Sequence, residues 1–429
     1  MATSIREGTK SRFRNTAARY RDARRSLDTP GSRRSRYGLD WTNFFIADVQ
    51  TGFGSFVAFY LAHLGWSKSS VGLALTIGTV AAIISLVPGG ALADAVTWKR
   101  SLVALGIVMI GGAAIILALA PGTITVYLAE ILHGCTAGVL TPAISAISLG
   151  LVGRRAMSAR TGRNFRYAGG GHAATSILMG MAGAYLADRA IFFVAAGLGI
   201  AALIALGFIR PDEIDYARAR NASHEPESSG VARITHLAQN RALMIFTAAM
   251  MLFQLADASM LPLIGESLST PKSSSGSLWL SALIALPQIV VAVLSPWVGY
   301  HSEKRGRKAL LLIALAIEPV RAALLAFSSA YAIYAVVEFL DGVNGSIINV
   351  MTVLVITDLT ANTGRFNFAR GFVGAMLGIA AAISTLATGY LFQNMSPLVG
   401  FLIVAGVASS AAIVLWALFP ETKPAEYDE

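Results

Sequence analysis

Apolar stretches of about 20 residues, each closed off by charge or turn chemistry, recur along the chain at the length a helix needs to cross a bilayer core. The pattern predicts twelve spans, at 39–63, 70–94, 101–120, 124–152, 168–187, 190–209, 242–264, 278–300, 309–328, 331–359, 371–393 and 397–419. No sustained alternation of apolar and polar positions competes with this reading, and an open sheet edge cannot face lipid. Connectors such as Pro121-Gly122-Thr123 and Ser328-Ser329-Ala330 are short, so successive helices run antiparallel as neighbours.

Two polar segments interrupt the series: residues 1–36, and residues 210–241 with the run from Asn221 to Gly230. The second divides the spans six and six. The expected organisation is a basic tail (1–36), a six-helix bundle (37–209), a linker (210–241), a second bundle (242–419) and a short C-terminal tail (420–429).

Composition strengthens the membrane reading. Apolar residues make up 55% of the chain and charged ones only 14%, against about 25% charged in soluble domains. A single cysteine, Cys135, excludes an intramolecular disulfide or a cysteine-based zinc cluster. The net charge of +10 gains its meaning from position: thirty Lys and Arg fall on the loops of one face and three (Lys68, Arg189, Lys272) on the other, with Arg321 inside a span. Such asymmetry predicts both termini in the cytoplasm. No aromatic-interleaved basic patch argues for nucleic acid.

The two halves repeat each other. After the second span comes Gly90-Ala-Leu-Ala-Asp94, followed by Lys99 and Arg100; after the eighth comes Gly299-Tyr-His-Ser-Glu303, followed by Lys304, Arg307 and Lys308. Gly and acid stand four apart in both, on one helix face, where Gly permits close approach of a neighbour. Glu130 with His133-Gly134 in the fourth span answers Glu338 with Asp341-Gly342 in the tenth, and Asp48 answers Asp257. An even number of spans per half gives both copies the same orientation, related by an axis along the membrane normal.

At these residues the chain resembles the major facilitator superfamily of secondary transporters. The family's loop signature, Gly-x-Leu-Ala-Asp-Arg-x-Gly-Arg-Lys-x-x-Leu, is matched by Gly90, Leu92, Ala93, Asp94, Lys99 and Leu102, and departs at Ala95, Thr97 and Trp98. The second copy matches at Gly299, Glu303, Lys304, Gly306, Arg307, Lys308 and Leu311. The resemblance implies an all-α membrane fold of two pseudo-symmetric six-helix bundles. It implies a cavity lined by the first, fourth, seventh and tenth helices, and alternating access with Asp94 and its basic partners as a cytoplasmic latch. The family's fourth-helix Arg-x-x-Gln-Gly pattern is replaced by Glu130 and His133, and its exporter signature Gly-Pro-x-x-Gly-Gly is missing from the fifth helix, which carries Gly169-Gly170-Gly171 and Gly180 with Gly183.

Charges inside spans are expensive and normally serve transport. The proton-coupling candidates are Asp48, Asp257, Glu130, His133, Glu338 and Asp341, with Asp48 the first choice for its central depth; Asn43, Gln50, Gln254, Asn344 and Asn349 are candidates to line the cavity. Arg321 lies three residues after Glu318 on the ninth helix, which the resemblance makes peripheral, so a structural pair is expected there.

The expected function is secondary active transport of a small organic solute, coupled to protons and leaning towards efflux, by a monomer in a bacterial inner membrane. Nutrient or metabolite uptake by symport stays open, as does a non-transporting solute-sensing receptor on the same fold. No metal cluster, nucleophile elbow or phosphate loop supports an enzyme, a metal or a cofactor; the Gly run at 169–171 lacks the P-loop Lys.

Overall fold

The computed structural model describes residues 31–51, 53–222, 239–258, 260, 263–264, 274–328 and 330–424, with the backbone alone for residues 48–51, 53–55, 59, 68, 184 and 274–281. The described chain is helical, with no strand beyond isolated bridges from Ala222 to Asn362 and Thr363.

The helices of the first half are α1 (Arg33–Thr51), α2 (Phe53–His63), α3 (Lys68–Ala95), α4 (Lys99–Leu119), α5 (Thr123–Val152), α6 (Met157–Tyr185) and α7 (Ala190–Gly207). A 3-10 turn (Pro211–Glu213) and the short α8 (Tyr216–Ala219) open the linker. The second half holds α9 (Arg241–Asp257), α10 (Ser274–Arg305), α11 (Arg307–Phe327), α12 (Tyr331–Leu359), α13 (Phe366–Asn394) and α14 (Pro397–Leu418). The first predicted span is represented by α1 and α2, and the other eleven each by one helix.

Among the described residues, nine helices are long and apolar enough to cross a bilayer. The others have identifiable reasons for falling short. The first span is described in two pieces, α6 is rich in glycine and carries three arginines in its first three turns, and α9 ends its described helix at Asp257. Three helices begin well before their predicted spans: α1 starts at Arg33 rather than 39, α6 at Met157 rather than 168, and α13 at Phe366 rather than 371. Apolarity marks only the lipid-facing part of a helix, whereas the backbone hydrogen bonds continue through the basic residues beyond it.

Local chemistry sets the ends. Ser67, Asn240 and Ser396 cap α3, α9 and α14 through side-chain oxygens, and Pro397 occupies the first turn of α14, where its missing N–H costs nothing. Gly306, at φ +83°, makes the break between α10 and α11 that a side chain would strain.

One apolar core fills the first half, around residues such as Leu61, Ile107, Leu140 and Phe192. Two fill most of the second, around Phe246, Leu311 and Val355 and around Met260, Tyr334 and Phe401. Large apolar side chains also point outward: Ile84, Leu386 and Trp416 are about two-thirds or more exposed. In water such a surface would drive aggregation; against lipid tails it is at home.

Two helix pairs, α3 with α13 and α6 with α10, make the most extensive contacts between the halves. Glycines on these helices let the backbones touch. Gly90 sits against the carbonyl of Asn367 and Gly371 against that of Leu86, while Gly162 meets Ser295 and Gly299 meets Ser158. The repeated glycines of the sequence motif, Gly90 and Gly299, therefore hold equivalent places in the two pairs.

Candidate functional site

At the end of the bundle that carries the basic loops, Asp94 is buried, 4% exposed, at the last turn of α3. Its carboxylate accepts the backbone N–H of Asn367 (3.2 Å) and of Phe368 (2.8 Å), and the Asn367 side-chain Nδ2 (2.8 Å). The two backbone N–H groups belong to the first turn of α13, where they have no intrahelical acceptor and form the positive end of that helix dipole. The expected ion pair with Lys99 and Arg100 is absent. Lys99 folds back onto the carbonyls of Ala93 and Val96, the latter at 3.1 Å, and Arg100 donates to the carbonyl of Ile209 at 2.8 Å. The basic residues thus hold the loop in shape, and the cross-half partner of Asp94 is a helix terminus.

The linker's beginning belongs to the same region. Asn367 Nδ2 also donates to the carbonyl of Ala219 (3.0 Å), Asn221 Nδ2 donates to the carbonyl of Thr357 (2.7 Å), and the Gly364 N–H donates to the Asn221 carbonyl (3.3 Å). Residues 211–222 therefore pack against the contact between Asp94 and α13, and the rest of the linker lies outside the described residues up to 238.

The second copy of the motif is wired differently. Glu303 is half-buried and joins none of these bonds. Lys304 lies over the Tyr300 ring at 4.5 Å, and Lys308 donates to the Trp416 carbonyl at 2.9 Å. Arg307 is buried, pairing with Asp358 at 3.0 Å and donating to the Ser302 carbonyl at 2.7 Å. Glu421 accepts the N–H groups of Arg307 (2.8 Å) and Lys308 (3.1 Å) at the start of α11. Burial alone would raise the Glu421 carboxyl; the N–H groups of Arg307, Lys423, Lys308 and Thr422 outweigh it and hold the group below the ordinary glutamate value.

Between the halves lies a chamber of about 470 Å³, lined from α1, α5, α6, α10, α12 and α13. Its polar groups include Asn43 and Asn349, two of the expected lining residues, with Asn164, Gln288, His172 and Arg370. Asn43 donates to the Leu39 carbonyl at 2.7 Å and reaches Asn164 at 3.5 Å. Below it, buried Asp40 accepts from Arg160 and, at 2.8 Å, from Arg163 Nε. Arg160 continues to Asn164 (2.7 Å), which donates to Ser148 (2.8 Å).

A third group of polar side chains occupies the second half. Arg321 Nη1 donates to Asp257 and to Glu318, both at 2.7 Å, and Nη2 to Asp341 at 2.8 Å. Asn344 donates to Glu318 at 2.7 Å. Glu338, 1% exposed, lies within electrostatic reach of Asp341 and Arg321. The expected pair Glu318–Arg321 is therefore the centre of a network joining α9, α11 and α12, and the ninth span is not peripheral to the polar chemistry.

Of the remaining candidates, Glu130 is buried against Gly78, and its Oε1 has no hydrogen-bond partner among the described residues. His133 and Gln254 are half-buried on α5 and α9. The side chains of Asp48 and Gln50 lie outside the described residues. Sequence reasoning missed Asp40, Asn164, Asn367 and Arg370. Arg370 was grouped with the loop cations because its span was drawn from 371, yet it stands in the second turn of α13.

The sequence profile of the Major Facilitator Superfamily matches residues 41–317 and 258–429. An uncharacterised transporter of this type from Mycobacterium tuberculosis is 33% identical over 387 residues, covering 90% of this chain and 93% of that one. A class B tetracycline resistance protein from Escherichia coli is 32% identical over 144 residues, 34% of each chain. Among solved structures, the transporter FucP in its outward conformation aligns with a TM-score of 0.70 at 12% identity, over 89% of this chain and 97% of that one.

Proposed function

Because this chain belongs to the major facilitator superfamily, we propose that it exports a small organic solute against proton entry, by alternating access, in a bacterial inner membrane with both termini cytoplasmic. The observation that carries the coupling is the Arg321 network. Three carboxylates, those of Asp257, Glu318 and Asp341, share one guanidinium within the membrane-embedded bundle, and a fourth, Glu338, lies within electrostatic reach of it. Three uncompensated negative charges in such a site would be prohibitive, so protons must occupy part of it. Rearrangement of α9, α11 and α12 changes how many acids Arg321 reaches, and with it the number of protons held. That is the linkage a proton-driven transporter requires.

Export is favoured by the tetracycline resistance relative, since lowering the internal drug level is a direct route to resistance. The basic-face contacts of Asp94 with α13 support a gate closed on the cytoplasmic side in this conformation.

The test uses everted membrane vesicles from cells producing the chain, energised to acidify the lumen. Tetracycline and ligands found in a thermal-shift panel serve as probes. The reading predicts accumulation that stops when nigericin and valinomycin collapse the gradient, and that fails in Asp341→Asn. Flux indifferent to the gradient would remove proton coupling, flux driven the opposite way would make the chain an importer, and ligand binding without flux would make it a sensor.

A further inference from the structure

Among the described residues, the Arg370 guanidinium has no counter-charge. Its Nε and Nη1 are closed off from the surface and have no hydrogen-bond partner among the described residues, and no acid there lies near enough to compensate it. Among the described residues, the deeply buried arginines carry ion pairs: Arg160 with Asp40, Arg307 with Asp358 and Arg321 with three carboxylates. Arg370 differs in one further respect, because it lines the chamber between the halves and is the only Asp, Glu, Lys or Arg among the described residues that do so.

Enclosing the nitrogens of a cation without partners is costly, and a rigid guanidinium fork presents paired donors that match a carboxylate, sulfonate or phosphate. The chamber around it offers amides from Asn349 and Gln288 and apolar surface from Phe165 and Val291. Its volume falls in the range that encloses a drug-sized ligand. We infer that the chamber binds an amphipathic organic anion, with the acidic group held by Arg370 and the apolar body against α6 and α10. The inference rests on the transporter reading and supplies its substrate class.

The position also ties the ligand to the gate. Arg370 lies three residues beyond Asn367 on α13, whose first turn receives Asp94. An anion that pulls on Arg370 acts on the helix whose end the latch holds.

Purified full-length protein in detergent tests the inference through ligand-dependent shifts of thermal unfolding. The probes are benzoate, naphthalene-2-sulfonate and phenyl phosphate, each against a neutral counterpart (benzamide, naphthalene-2-sulfonamide and phenol), with inorganic sulfate as the ionic-strength control. At least one organic anion should stabilise the wild type saturably while its neutral counterpart does not. Arg370→Gln should weaken that binding at least tenfold, and Arg370→Lys, which keeps the charge without the fork, should fall between. Without ligand, Arg370→Gln should unfold at or above the wild-type temperature, because it removes an unpaired charge whose Nε and Nη1 are enclosed; a lower midpoint would mark Arg370 as structural. Equal stabilisation by anionic and neutral probes, anions acting equally on Arg370→Gln, or no response to any anion would overturn the inference. Those outcomes are independent of the vesicle experiment: absent flux removes the transporter reading while anion binding stands, and flux of neutral solutes unaffected by Arg370→Gln removes only the anion assignment.

Discussion

Arg321 of α11 donates to Asp341 of α12 at 2.8 Å while its other terminal nitrogen serves Asp257 of α9 and Glu318 of its own helix. One side chain, 2% exposed, thus fixes three helices of the second half around a common cation. Its acids outnumber it, which makes the network sensitive both to the loss of the cation and to the protons that offset the excess.

Arg321→Ala should destabilise the protein severely, by about 3–5 kcal/mol, because it strands buried carboxylates rather than merely removing a bond. Thermal unfolding in detergent checks this. Adding Glu318→Gln to Arg321→Ala should restore part of the loss by removing one of the stranded charges. A double variant no more stable than the single one would show that charge imbalance is not the cause.

Gly90→Ala should leave the protein folded but stop transport, since the added methyl would press on the Asn367 carbonyl where α3 and α13 meet. Gly72→Ala, near the start of the same helix and facing open space, should leave flux unchanged. Comparing the two in vesicles separates closure of the gate from the general effect of replacing a helical glycine.

How much of this was legible in the sequence depends on what carried each contact. Spans were readable because lipid demands apolar length; α12 begins and ends where the pattern places it, at Tyr331 and Leu359. The paired glycines were readable because close approach requires that residue type. The partner of Asp94 was not, because backbone N–H groups of α13 have no residue identity and the contact spans 274 positions. Arg321 was misjudged for a related reason: its i−3 neighbour Glu318 explained it locally, and nothing in the sequence brings Asp257 to the same point. Arg370 was hidden by apolarity, which places the start of α13 five residues late.

Glu421 gives the stability profile a pH dependence at the basic face. Its carboxyl lies below the ordinary value when folded, so the folded state binds its proton less readily than the unfolded chain does. The stabilisation is therefore present above the unfolded carboxyl value of about 4.3 and is lost as pH falls through the lower folded value. The unfolding midpoint of Glu421→Gln should lie below wild type at pH 7, and the gap should close towards pH 3.5. A gap independent of pH would assign the effect to shape rather than charge.

Asp94, bonded to the end of α13, should hold closed a gate between the halves. Charge-assisted bonds of this kind contribute about 1.5–3 kcal/mol each, so losing them should shift the open population roughly tenfold or more. The most direct measurement is the distance distribution between spin labels at Thr97 and Arg305, exposed positions on the two halves at the basic face, in a Cys135→Ser background. The account predicts one short distance for this background and a large longer-distance population when Asp94→Ala is added. Identical distributions with and without Asp94 would contradict it.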